Sequence, residues 1–159
     1  MKIEIHDSLE AVGALAWDAL QGASRLRSPF LAWTWQSEWV RAFGAGRRLE
    51  LRRVTDGTGQ LVALLPLIET APGRFMLTGG SDVSDYLDLI ALRDREEEAW
   101  TALLAARAAD RSAWELHAVP ADSSTVTAME RSPRLTTSRG RSAPPTSSSE
   151  CPNPCATRA

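Results

Sequence analysis

Short apolar runs separated by glycine and proline dominate the middle of the chain. The run at 61–68 is followed by a turn, an apolar piece at 74–77, a pair of glycines and a further segment at 84–92. Apolar runs of about four to eight residues between turn residues are typical of buried strands. An alternating stretch at 49–54 precedes them, so the pattern predicts a β-hairpin followed by two further strands of one sheet.

The chain begins with alternating polar and apolar residues at 2–6, which predicts a half-buried first strand. Ile3 and Ile5 lie on its apolar face, and His6 lies on the face expected to meet solvent. A helix should follow, capped by Asp7 or Ser8. Its apolar positions at near-helical spacing are Leu9, Val12, Leu15, Ala16 and Leu20, and Gly22 lies where it should end.

A second helix is predicted from an N-cap at Thr34 to a stop at Gly44. Trp35, Trp39 and Phe43 recur at every fourth position and form one aromatic stripe. Such a stripe usually packs into a core, with a ligand shelf as the alternative. We therefore expect these three rings to lie on the sheet.

Three more elements complete the predicted domain. The acidic start of 94–109 suits a helix N-terminus, the alternating stretch 113–119 reads as a strand that places His117 in solvent, and 123–131 reads as a short helix. The predicted fold class is α/β in the broad sense (α+β): one domain with a mixed, mainly antiparallel sheet flanked by helices.

Composition and charge indicate a single globular domain and argue against a nucleic-acid-binding protein. The chain has 159 residues, enough for one domain, with ordinary apolar and charged contents of 43% and 24%. Residues 131–159 carry +4 and the rest carries −6. An acidic body argues against nucleic acid as the partner.

No apolar run approaches the roughly 20 residues that a spanning helix needs, so we expect no membrane span. Residues 1–7 lack the apolar centre of a signal peptide, which predicts a cytoplasmic protein. Cys151 and Cys155 are the only cysteines. Their spacing, with no histidine nearby, is a weak zinc signal, and no metal site is expected.

Candidate chemistry concentrates after the glycine pair, where Asp82, Asp85, Tyr86 and Asp88 crowd together. In an extended segment Tyr86 and Asp88 would point to one side and Asp85 to the other. One interpretation is a polar loop whose aspartates cap backbone N–H groups. The other is the polar rim of a substrate groove, with Asp85, Tyr86 and Asp88 as substrate-binding residues.

The segment 41–46 fits the pattern R-x-x-G-x-G, by which acetyltransferases hold the pyrophosphate of coenzyme A. That chemistry needs a strand before the glycines and a helix after them. Here the predicted helix comes first and the strand second. We therefore assign no cofactor-binding residue to this segment, and no catalytic constellation can be assembled elsewhere.

The order of segments resembles the N-terminal half of the CelD-like acetyltransferases, a group of the GNAT superfamily related to the FemAB peptidyltransferases. The resemblance covers roughly residues 1–130. It is carried by Pro29-Phe30-Leu31, Trp39, Phe43-Gly44, Val62-Ala63-Leu64-Leu65-Pro66-Leu67 and Ser84-Asp85-Tyr86-Leu87-Asp88.

The resemblance implies two GNAT-like halves, with the acyl donor, acetyl-CoA, bound by the C-terminal one. The acceptor would be a small molecule or saccharide of cellulose, exopolysaccharide or cell-envelope synthesis, acylated on an amine or hydroxyl. No donor-binding or catalytic residue can be carried over, because the resemblance stops near residue 134. We therefore expect a fragment of an acyltransferase that is inactive alone and binds no acetyl-CoA. The alternative is a non-catalytic binding or interaction module.

The sequence divides into a GNAT-like N-terminal half-domain at 1–132 and a tail at 133–159. The tail has no aromatic residue and is dominated by Ser, Thr, Pro and Arg. Such a segment buries too little apolar surface to offset its ordering entropy, so we expect it to be disordered. It is either a natural tail or a frameshifted reading of a GC-rich second half.

Overall fold

The computed structural model describes residues 1–132 and 135–136, the latter as backbone only. Helices α1 to α4 span Ala14–Ala23, Trp33–Phe43, Glu96–Asp110 and Ser124–Glu130. Strands β1 to β7 span Lys2–His6, Leu49–Thr55, Leu61–Ala71, Arg74–Leu77, Ile90–Ala91, Ala113–Glu115 and Leu135–Thr136. Single turns of 3-10 helix occupy Leu9–Ala11 and Pro29–Leu31.

The strands form one mixed, mainly antiparallel sheet, which confirms the predicted fold class. Its order is β1-β2-β3-β4-β6-β7, and β5 pairs with β3. The pairs from β1 to β4 are antiparallel, as is β3 with β5, whereas β4–β6 and β6–β7 are parallel. The predicted hairpin is present as β2 and β3.

The long strand β3 lies at the centre of the core. Every residue from 62 to 68 is buried, so both faces of the sheet are covered. Helix α1 contacts α2 and β3, and α3 contacts α4 and β3. The largest side chains enclosed in this way are Trp17, Trp100 and Trp114.

Helix α1 begins later than predicted and buries a different face. Gly13 has a φ of +80°, so the turn at Leu9–Ala11 and α1 are separate elements. The helical phase does not carry across this break. Leu15 is consequently 91% exposed, against the prediction, and Trp17 occupies the core and donates its indole hydrogen to the carbonyl of Leu31 at 2.8 Å.

The aromatic stripe of α2 is only partly buried. Trp39 lies in the core and Trp35 is half-buried, but Phe43 is 56% exposed, which corrects the prediction for that ring. Each step of four residues turns the helix about 40° beyond a full turn, so a stripe at this spacing drifts off the buried face. The helix also starts at Trp33, with Ala32 rather than Thr34 at the N-cap.

The first strand was also predicted incompletely. Ile5 is 54% exposed, because β1 lies at the edge of the sheet and has neighbours on one side only. His6 is half-buried instead of facing solvent. His117 is half-buried too, with Nε2 at 3.9 Å from Glu115.

Two predicted strands are much shorter in the structure. Only Ile90–Ala91 of the segment 84–92 pairs with the sheet, and only Ala113–Glu115 of 113–119 does. Ala118 has a φ of +58°, outside the extended region, so that strand cannot continue to Pro120. The residues expected to be disordered lie outside the described ones, apart from the backbone of 135–136.

Candidate functional site

The segment 78–89 is a loop that lies against α2. Gly79 and Gly80 have φ values of +101° and +74°, which glycine adopts without strain. A Cβ atom on Gly79 would lie 2.8 Å from Gln36 Nε2, and one on Gly80 would lie 2.5 Å from Trp39 Nε1. The glycine pair therefore brings the loop backbone into direct contact with the helix.

Hydrogen bonds attach the loop to α2 and to the segment that precedes α2. Trp35 Nε1 donates to Ser84 Oγ at 3.1 Å, and that hydroxyl donates to the carbonyl of Gly79 at 2.7 Å. Further along, Ser28 Oγ donates to the carbonyl of Tyr86 at 3.0 Å. The conformation of the loop is thus set by residues far from it in sequence.

The structure does not bring the three predicted site residues together. Asp85 and Tyr86 are exposed, and Tyr86 presents 54% of its surface. Asp88 is only 7% exposed. An extended segment would have placed Tyr86 and Asp88 on one face, but residues 81–89 form no strand.

The Asp88 carboxylate accepts hydrogen bonds from the start of α4 and from the backbone N–H of the next residue. Ser123 Oγ donates to Oδ2 at 2.5 Å, Thr125 Oγ1 donates to Oδ1, and the N–H of Leu89 donates to Oδ1 at 2.8 Å. Thr125 Oγ1 also accepts from Trp100 Nε1 at 3.0 Å. Asp88 therefore links the loop, α3 and α4.

Burial raises the pKa of Asp88 above its ordinary value. The hydrogen bonds from Ser123, Thr125 and Leu89 act in the opposite direction, because they favour the ionised form. The negative charge of Glu96 adds to the rise. Asp88 and Glu96 are thus close enough for their charges to interact.

Both carboxylates lie in the wall of a cleft of about 400 Å³. The cleft lies among the segment after α1, the strand β5 and the first turns of α3 and α4. Its ionisable residues are Arg25, Asp88, Glu96, Glu97 and Asp122. The formal charge of this lining is therefore −3, and Asp85 and Tyr86 are not part of it.

Glu96, Glu97 and Asp122 were not predicted as site residues. The acidic start of α3 was assigned only a role in stabilising the helix N-terminus. No local pattern announces the site, because Asp88 and Ser123 are 35 residues apart in sequence. The available signal was Asp88 itself, a polar residue in a predicted strand that is followed by apolar residues without alternation.

Within residues 1–132 and 135–136, no group of three or more His, Cys, Asp or Glu side chains is arranged to hold a metal ion. In the same part of the chain, no helix has the length and apolar character needed to cross a membrane. The polar side chains in the lining of the cleft are carboxylates, hydroxyls and one guanidinium.

Comparisons with protein families, with curated proteins and with solved structures found no match for this chain.

Proposed function

We propose that residues 1–132 are the acceptor-binding half of a GNAT-type acyltransferase. The full reaction moves an acyl group from acyl-CoA to an amine or hydroxyl of a small-molecule or saccharide acceptor used in polysaccharide or cell-envelope synthesis. This half has no donor site and is inactive alone. The proposal includes a cytoplasmic location.

One observation carries the proposal: the S-D-Y-L-D segment, one of those that carry the resemblance to CelD-like acetyltransferases, contributes Asp88 to the wall of a concave cleft. Small-molecule sites are typically concave and about 300–1,000 Å³ in volume, and this cleft has about 400 Å³. Asp85 and Tyr86, exposed on the same loop, are assigned to an outer rim that a saccharide-sized acceptor reaches.

Ligand-dependent melting tests this assignment. The full chain is heated with glucosamine, which offers an amine and hydroxyls, with cellobiose, which offers hydroxyls only, and with acetyl-CoA. A ligand at about 100 times its dissociation constant adds about 2.7 kcal/mol to the free energy of unfolding. We expect at least one acceptor to raise the melting temperature and acetyl-CoA to leave it unchanged.

Two results would contradict the proposal. A rise in melting temperature with acetyl-CoA would show that this chain binds the donor, and it would not be the acceptor half. Unchanged melting with both acceptors would contradict the acceptor site itself.

The second candidate is a non-catalytic interaction module. It is favoured by apolar side chains at the tip of the loop, where Val83 is 51% exposed and Tyr86 is 54% exposed. Exposed apolar groups that cluster on a surface are typical of interaction sites. This alternative predicts no response to any of the three small ligands, so the same titration separates it from the acyltransferase half.

A further inference from the structure

The cleft beside Asp88 continues into a groove between α3 and α4. Glu97, Ser124 and Thr127 line both the cleft and a neighbouring depression of about 180 Å³. The two spaces therefore adjoin each other along α3 and α4.

The depression is apolar along its floor. Trp100, Leu104 and Ala128 supply its apolar lining, and Arg131 lies with them. Trp100 is only 2% exposed and Leu104 is half-buried, so Leu104 offers most of the apolar surface that a ligand can reach. An aliphatic chain placed here would be removed from water, which is favourable in proportion to its apolar area.

The lining of the cleft has four carboxylates and one guanidinium, so it is acidic. Arg25 is the one basic residue in its lining, and it lies 3.6 Å from Asp122. Glu96 Oε1 is buried and accepts no hydrogen bond from any described residue. A buried carboxylate oxygen without a donor is costly, and a turn of the half-buried Glu96 side chain toward a charged donor in the cleft would remove that cost.

Arg95, the basic residue next to Glu96, does not fill this role. Its guanidinium is paired with Glu98 at 2.5 Å and lies 3.9 Å from Asp56. Asp88 cannot be the principal contact for a ligand either, because it already accepts three hydrogen bonds within the chain. Glu96, with Glu97 beside it, is the group left to bind a cation.

We propose that one extended ligand, an organic cation, occupies both spaces of this groove, with its charged group at Glu96 and an apolar chain against Leu104. The cation is a recognition group of the acceptor and is distinct from the atom that receives the acyl group. That this ligand is the acceptor rests on the function proposed above. The binding itself is a property of the groove and can be measured whether or not that function is correct.

The test compares two ligands of nearly equal shape. Hexylguanidine is a cation at neutral pH, and hexylurea is its neutral counterpart. Isothermal titration of the full chain at low ionic strength should give hexylguanidine an affinity at least about tenfold higher, since charge-assisted hydrogen bonds are stronger than neutral ones. High salt should reduce this difference by screening.

Matched variants locate the charge. Glu96→Gln should abolish the preference for hexylguanidine, because it removes the charge and keeps the shape of the side chain. Glu130→Gln should preserve the preference, since Glu130 is exposed on α4 and lies outside both linings. Far-UV circular dichroism verifies that each variant folds.

The apolar part has its own control. Methylguanidine should bind about tenfold or more weakly than hexylguanidine, because most of the chain is missing. Leu104→Ala should weaken the binding of hexylguanidine and leave that of methylguanidine unchanged.

Equal affinities for hexylguanidine and hexylurea, or a preference that survives in Glu96→Gln, would overturn the inference. If glucosamine or cellobiose raises the melting temperature but hexylguanidine does not bind, the inference fails and the proposed function stands. If hexylguanidine binds and neither acceptor does, the inference stands and the proposed function fails.

Discussion

Replacing Gly80 with alanine tests how the loop at 78–89 is held. Gly80 has a φ of +74°, a conformation that L-amino acids with a side chain rarely adopt. The added Cβ would lie 2.5 Å from Trp39 Nε1 and 3.1 Å from Cε2 of the same ring. Trp39 is buried, so the ring cannot turn aside freely.

Two costs add in this variant. The left-handed conformation costs about 1–2 kcal/mol for a residue with a Cβ. Forcing a methyl group into a packed site costs about 1–3 kcal/mol more. We therefore expect Gly80→Ala to lower the free energy of unfolding by about 2–5 kcal/mol.

Two other glycines separate these terms. Gly46 has a φ of +72° and no atom near its added Cβ, so Gly46→Ala should cost only the conformational part, about 1–2 kcal/mol. Gly57 has an ordinary φ and open space, so Gly57→Ala should change stability by less than about 1 kcal/mol. Urea unfolding followed by far-UV circular dichroism measures all three.

A double-variant cycle identifies the ring as the cause. Trp39→Phe removes the nitrogen that the Cβ meets, so the pair Gly80→Ala with Trp39→Phe should cost at least about 1 kcal/mol less than the sum of the single changes. If Gly80→Ala costs no more than Gly46→Ala, or if the two changes are additive, the proposed contact does not hold the loop.

Three further predictions concern buried polar groups. Thr125→Val removes the hydroxyl between Trp100 and Asp88 and should lower the free energy of unfolding, measured in urea, by about 1–3 kcal/mol. The control Thr127→Val should lower it by less than about 0.5 kcal/mol, since Thr127 is exposed. Equal costs would contradict the hydrogen-bond network around Asp88. Arg52→Met leaves the buried carboxylate of Glu50 paired with Arg48 alone and should cost about 1–3 kcal/mol, whereas the exposed Arg74→Met should leave the urea midpoint nearly unchanged. Because burial raises the pKa of Asp88, its contribution to stability is complete below the unfolded carboxyl pKa of about 4 and is lost as the pH rises through the native pKa. The stability of the parent relative to Asp88→Asn should therefore fall with rising pH, and a flat difference would refute the direction of the shift.

Local patterns were sufficient for much of the fold. The runs that became β2, β3 and β4 were found because strand burial and turn residues are both visible within a few positions. The error in α1 came from one residue: Gly13, at a φ of +80°, restarts the helix, and an apolar period read across it places Leu15 in the core.

The candidate site could not be found in the same way. Its lining comes from the segment after α1, the strand β5 and the first turns of α3 and α4, which are distant in sequence. Asp88 was singled out because it follows a glycine pair, yet its environment depends on Ser123 and Thr125, 35 and 37 residues later. Asp85, three residues before it, remained in solvent.

The two interpretations of the S-D-Y-L-D segment are compatible once the contacts of Asp88 are considered. A carboxylate that accepts three hydrogen bonds within the chain acts as a structural link, and the bond from the N–H of Leu89 is the backbone contact that the structural interpretation expects. The elements that it links are the loop and the start of α4, and these form walls of the cleft. Loss of Asp88 should therefore impair folding and ligand binding together, so that variant cannot distinguish the two roles. A variant of Glu96 can distinguish them. The buried Oε1 of Glu96 accepts no hydrogen bond from any described residue, so Glu96→Gln breaks no hydrogen bond at that atom. A loss of binding without a loss of stability in Glu96→Gln would assign ligand recognition to the cleft rather than to the aspartates of the loop.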